Sequence, residues 1–183
     1  MSTKSFLEPK YRGLTYADIK VPETPTPIQL TVHGQTNGKA NRRATDYWRR
    51  QVERVLNASR VFAVKESGSN ASLVITINNV ADVGAATGKG FVTGLTFGGV
   101  GTLATDGYVM TVEYVAEGSP TFTGKYQHAI YTTIGNAKPP PGIDPITLSE
   151  APSFVAEDML LHFLKELEQQ PKTQAPNPVA TRP

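Results

Sequence analysis

Between Lys89 and Asp106 the chain runs for sixteen residues, Gly90 to Thr105 (GFVTGLTFGGVGTLAT), without a charged side chain. Gly90, Gly94 and Gly98 follow one another at helical-turn spacing within it. Few sequences satisfy the demands such a stretch makes. It is too apolar to be left in water and has too few bulky side chains to fill a core. It is also too short to cross a bilayer, which takes about 20 apolar residues in a helix. Glycine at each position of an isolated helix costs on the order of 1 kcal/mol relative to alanine. Three readings follow: a long glycine-rich connection folded over the edge of a domain, a surface for a bilayer or another copy of the chain, where small residues let backbones approach closely, or a ligand loop. On the second reading the contact residues are Gly90, Phe91, Gly94, Leu95, Phe97 and Gly98.

The rest of the chain supplies the scaffold. Pro27 to His33 (PIQLTVH) alternates apolar and polar residues with the period of a half-buried strand. Gly34 to Lys39 then reads as a turn. From Asn41 to about Ser59 the period changes to that of a helix: Ala44, Tyr47, Trp48, Val52, Val55 and Leu56 share one arc, with Arg42, Arg43, Arg49, Arg50 and Arg54 opposite. Val61–Lys65 and Ala71–Val80 read as two strands joined by a loop of hairpin length, Glu66 to Asn70, in which Gly68 can take a positive φ. Tyr108–Val115 and Phe122–Ile134 read as an antiparallel pair turned at Gly118 and Pro120. Pro139, Pro140 and Pro141 exclude regular structure from the next connection. Ser153 to Gln170 is a second amphipathic helix stopped by Pro171, with Val155, Ala156, Met159, Leu160, Phe163, Leu164 and Leu167 on its apolar arc.

About five strands and two one-sided helices predict an α+β fold of two layers, with a mixed or antiparallel sheet carrying both helices on one face. The expected organisation is an extended tether over residues 1–26, one domain over 27–170 with 88–107 as a glycine-rich apolar insertion, and a disordered tail over 171–183.

Chemistry is sparsely signalled. The absence of cysteine excludes disulfides and thiolate metal sites. His33, His128 and His162 are the only histidines and lack the spacing of a metal shell, so they read as surface or packing residues, with no metal and no cofactor expected. Lys89 lies ahead of the glycines that would have to cradle a phosphate, so Gly88–Gly94 does not encode a nucleotide loop. Asp82, Asp106 and Glu113 flank the glycine run without the spacing of an acid–base pair, and a hydrolase would need a convergent polar pocket around Asp82, Asp106 or His128. No serine has the context of a nucleophile elbow.

Charge is uneven. Residues 1–60 hold eleven Lys and Arg against five Asp and Glu, and the remainder holds seven against eleven. Arg43, Arg50 and Arg54 are therefore candidates for an anionic glycan or lipid, although Asp46 and Glu53 interrupt the basic face and an arginine-rich outer face is ordinary for a solvated helix. No helix-turn-helix or aromatic strand platform points to nucleic acid.

Several short phrases in the chain resemble small bacterial outer-membrane lipoproteins: Arg60-Val61-Phe62-Ala63-Val64 after the first helix, the Ala-Ser-Leu-Val-Ile strand from Ala71, Gly94-Leu95-Thr96-Phe97-Gly98, and Thr105-Asp106-Gly107-Tyr108. The resemblance extends from Pro27 to Gln170. It implies a sheet-plus-helices fold akin to the amino-terminal domain of TolB, to CsgG and to the lipoprotein activators of penicillin-binding proteins. Those proteins bind partners or assemble and are not enzymes. Met1-Ser2-Thr3 fits a mature lipoprotein whose lipidated Cys is replaced by Met, so the resemblance further implies a periplasmic domain anchored to the outer membrane. The expected role is a non-enzymatic one: contact with an envelope protein or self-association, with membrane contact possible through the apolar run.

Overall fold

The computed structural model describes residues 4–81, 102–134 and 142–170. In chain order the strands are β1 (Lys4–Leu7), β2 (Thr26–Thr36), β3 (Lys39–Ala40), β4 (Phe62–Val64), β5 (Ala71–Ala81), β6 (Thr102–Ala116) and β7 (Phe122–Ile134). Two helices lie among the described residues, α1 (Arg42–Ser59) and α2 (Ala151–Glu168). The strands form one sheet in the order β1-β7-β6-β5-β2-β3, with β4 beside the start of β2. The sheet is mixed, with β2 parallel to β5 and to β4 and the remaining pairs antiparallel. The architecture is thus α+β as expected, with seven strands among the described residues where the sequence pattern predicts about five.

Alternation in the strands dictates the layering. Ile28, Leu30 and Val32 of β2, Leu73, Ile75 and Ile77 of β5, and Met110 and Val112 of β6 all point to one face and are buried. Onto that face α1 lowers Trp48, Val52, Val55 and Leu56, and α2 lowers Val155, Ala156, Met159, Leu160, Phe163 and Leu164. Each Val, Leu, Met or Phe among them contributes roughly 1.5–3 kcal/mol by leaving water, and Ala156 less. The side chain of Asn41 accepts the Ala44 N–H and caps α1, and Arg60 closes the helix with φ 57 in the left-handed region.

Three local expectations change. The loop between β4 and β5 does contain Gly68 at φ 77, yet it joins no hairpin: β4 and β5 both pair with β2, each in parallel. Gly34, expected in a turn, lies in β2 under α1, where a Cβ would stand 2.3 Å from the Thr45 nitrogen.

The third change concerns the expected tether. Lys4–Leu7 pairs antiparallel with β7, and Phe6 and Leu7 are buried. The 3-10 turns Pro9–Tyr11 and Tyr16–Asp18 carry the chain along α2, and Ile19 enters the main core. The arm lacks a sustained apolar period because it packs through single residues, the kind of segment that periodicity cannot detect. Its cover also explains why α2 buries Asp158 and Leu161, which lie off the predicted apolar arc.

Candidate functional site

Register assigns the opposite face of the sheet. Cross-strand partners share a side. Gln29, Thr31 and His33 of β2 therefore stand in rows with Ser72, Val74 and Thr76 of β5, Thr111 and Glu113 of β6, and Thr123 and Lys125 of β7. No described helix covers this half of the face, which carries an open groove of about 480 Å³ lined by Val74, Thr76, Thr111, Glu113, Thr123 and Lys125. Towards the other end the same face turns apolar. Phe6, Ala129 and Tyr131 form a second buried cluster there, with Val80, Val109 and Ile143 packed against it.

At that apolar end β5 stops at Ala81, and β6 begins with Thr102–Thr105, the last four residues of the uncharged run. Val80 pairs with Gly107 and Ala81 with Asp106, so the chain leaves and rejoins the sheet on adjacent strands. The strand expected to begin at Tyr108 begins at Thr102. Gly90, Phe91, Gly94, Leu95, Phe97 and Gly98 lie outside the described residues, as do Asp82, most of the 88–107 insertion and the 171–183 tail.

A polar group that sequence reasoning missed lies between β7, α2 and the amino-terminal arm. His128 is fully buried. Its Nδ1 accepts the Ala129 N–H at 2.8 Å, leaving Nε2–H to donate to Oδ2 of Asp158 at 3.1 Å. Nη1 of Arg12 stands 3.6 Å from the same carboxylate oxygen. His162 donates through Nδ1 to the Asp158 carbonyl at 2.9 Å, and the Tyr11 ring meets the His162 ring edge-on with centroids 4.8 Å apart. Both nitrogens of His128 are bonded within the fold and the ring is enclosed by it. The pair binds strand, helix and arm together. Glu113 stands exposed on the outer face, away from His128; Asp106, opposite Ile130 in β6, lies on the face of His128 one cross-strand pair along, and the carboxylate bonded to His128 is that of Asp158. Among the described residues no group of three His, Asp or Glu is placed to hold a metal ion.

The arginines divide. Nη1 of Arg54 binds Oε2 of Glu157 at 2.8 Å, and the Tyr16 hydroxyl donates to the same oxygen at 2.9 Å, so this arginine joins α1, α2 and the arm. Burial, reinforced by the Glu157 hydrogen bond, pushes the Tyr16 phenol up to about 12. Arg49 pairs with Glu53 at 2.9 Å. Arg43 and Arg50 are exposed.

No helix among the described residues is long and apolar enough to cross a membrane. No protein-family model and no curated protein matches the chain. Among solved structures it is similar to a minor lipoprotein from Acinetobacter baumannii, with a TM-score of 0.38 and 11% identity over 78% of this chain and 91% of that one. It is also similar to a neuraminyllactose-binding hemagglutinin homologue from Helicobacter pylori, with a TM-score of 0.47 and 8% identity over 87% of this chain and 94% of that one. A third similar structure is the rare lipoprotein B from Shewanella oneidensis, with a TM-score of 0.35 and 11% identity over 79% and 92% of the two chains. The lengths correspond closely, while the identities are too low to assign a family.

Proposed function

We propose that this chain is a non-enzymatic cell-envelope lipoprotein domain that acts in the periplasm by contacting another envelope protein or a second copy of itself, and that residues 88–107 make the contact. The observation that carries the reading is the siting of the uncharged run: its last residues, Thr102–Thr105, open β6, and the segment between β5 and β6 leaves and returns at the apolar end of the sheet's outer face, beside Val80 and Val109. A segment without charge and rooted there gains most by leaving water against an apolar partner surface. Among the described residues, the scaffold beneath it ties Arg54 to Glu157 and His128 to Asp158.

The test is Gly94→Asp with Gly98→Asp, followed by solution mass across a concentration series, with and without detergent, and by flotation with liposomes. Loss of association or of membrane contact with an unchanged circular dichroism spectrum is the expected result. Unchanged association and flotation would remove 88–107 from the interface.

An anionic glycan or lipid is the alternative ligand, resting on the exposed Arg43 and Arg50 of α1. It requires binding that falls steeply with added salt and with Arg43→Ala and Arg50→Ala.

A further inference from the structure

The strands flanking the sheet's β1 edge differ greatly in length. β7 runs 13 residues and its outer neighbour β1 only 4. Their register covers Ile130–Thr133, after which Glu8 N–H still reaches the Ala129 carbonyl at 3.0 Å and the Tyr11 hydroxyl accepts the Gln127 N–H at 3.3 Å. These two bonds fix which way the main chain of β7 faces. Residues 127 and 129 direct their amides and carbonyls away from β6. The pairing with β6 is continuous from Phe122 to Ile134, so strict alternation directs those of Thr123 and Lys125 to the same open side. No main-chain partner meets either of them among the described residues.

The other borders of the sheet are partly covered among the described residues. On β1, the Ser5 carbonyl accepts the Ile146 N–H at 2.8 Å. On β2, β3 and β4 occupy the two ends, and the Asn41 N–H donates to the Gly34 carbonyl at 2.9 Å. The stretch Phe122–Tyr126 is therefore a short edge with two outward donors and two outward acceptors, the recognition chemistry of an extended peptide.

Side chains set which peptide. Inward, Phe122 and Tyr126 are already buried, and the Tyr126 hydroxyl is held by Glu166 at 2.7 Å. Outward, Thr123 and Lys125 are exposed beside the groove that Glu113 and Thr111 also line. Lys125 has no ion-pair partner among the described residues. A lysine on an edge strand penalises indiscriminate pairing, because an added strand must place something compatible opposite it.

We propose that Phe122–Tyr126 is a docking edge for an extended segment of a partner protein that carries a carboxylate opposite Lys125. Residues 171–183 cannot fill this role, since four of the thirteen are proline and none is acidic. A second copy paired about Gly124 would set two Lys125 side chains on one face and supply no acid opposite either.

Amide hydrogen exchange followed by NMR tests this in two stages. In dilute protein, the Thr123 and Lys125 amides should exchange at least about a hundredfold faster than those of Gly124 and Tyr126. Slow exchange at Thr123 and Lys125 in the free monomer would overturn the proposal. The probes are a synthetic peptide, Thr-Val-Thr-Glu-Thr-Val-Thr, and its counterpart with Lys in place of Glu. The acidic peptide should protect Thr123 and Lys125 and shift their resonances, the basic one should not, and Lys125→Glu should reverse the preference. Equal effects of the two peptides, or shifts elsewhere, would overturn the assignment. So would protection that grows with protein concentration alone, which identifies a second copy as the occupant. All these outcomes are independent of residues 88–107, so they stand whether or not the Gly94 and Gly98 variants behave as expected.

Discussion

Gly34 and Thr45 meet where the first helix lands on the sheet: the Gly34 N–H donates to Thr45 Oγ1 at 2.8 Å, and a Cβ on Gly34 would stand 2.3 Å from the Thr45 nitrogen and 2.4 Å from the Ala44 carbonyl carbon. Backbone, not a flexible side-chain end, occupies the space. Glycine is required here for close approach, and no left-handed backbone angle is involved.

Gly34→Ala should therefore push the amino terminus of α1 off β2 and disturb the seat of Trp48, whose ring lies edge-on to that of Tyr108 at 5.6 Å. The expected cost is about 3 kcal/mol or more, at the upper end of overpacking effects. Thr45→Val, which replaces the hydroxyl with a methyl and removes the acceptor of the Gly34 N–H, should cost about 1 kcal/mol. Urea denaturation of the two variants checks the order, and a Gly34→Ala protein as stable as the parent would mean that the helix sits elsewhere.

Removal of residues 1–20 distinguishes an arm from a structural strap. Phe6, Leu7 and Ile19 are all buried, and at roughly 1.5–3 kcal/mol each their loss is comparable with the whole stability of a small domain, about 5–15 kcal/mol. The truncated chain is expected to be unfolded or insoluble. A truncated chain with an unchanged melting temperature would restore the tether reading.

At the buried histidine, Asp158→Ala leaves the His128 Nε2–H without its acceptor in a fully enclosed site and should cost about 1–3 kcal/mol. Arg12→Ala, which removes the half-exposed partner of the same carboxylate, should cost about 1 kcal/mol or less. Thermal melts followed by circular dichroism read both, and a larger loss for Arg12 would shift the anchoring role from the histidine to the arginine.

Alkaline pH should unfold the protein by way of its tyrosines. Burial, with a smaller contribution from the Asp106 charge, pushes the Tyr108 phenol up to about 12, and burial plus the Glu157 hydrogen bond does the same at Tyr16. Folded values above the ordinary phenol value near 10 mean that the fold holds the neutral form. The resulting stability is complete below about pH 10 and is lost as pH rises towards 12. Urea midpoints between pH 8 and 12 measure it, and Tyr16→Phe should flatten the upper part of the curve. A midpoint constant across that range would contradict the burial.

Much of the scaffold is legible in local pattern. The alternation Ile28, Leu30, Val32 and the arc Trp48, Val52, Val55, Leu56 name buried faces directly, because period follows from backbone geometry. The antiparallel pair β6 and β7 is announced by its turn, where Gly118 takes φ 73. Pairing at a distance is not written that way. The Glu66–Asn70 loop has hairpin length and the expected glycine, and still β4 and β5 both run parallel to β2, since the helices covering one face set the strand order.

The site divides along the same line. From the sequence alone come the uncharged run, its glycine spacing and the basic face of α1; these are properties of consecutive residues. Only the tertiary structure seats residues 4–20 as a strap, joins His128 to Asp158 across thirty positions, ties Arg54 to Glu157 and leaves Thr123 and Lys125 without a main-chain partner among the described residues. Each of these depends on which elements become neighbours. The packing of the whole chain decides that, and no period within a segment records it.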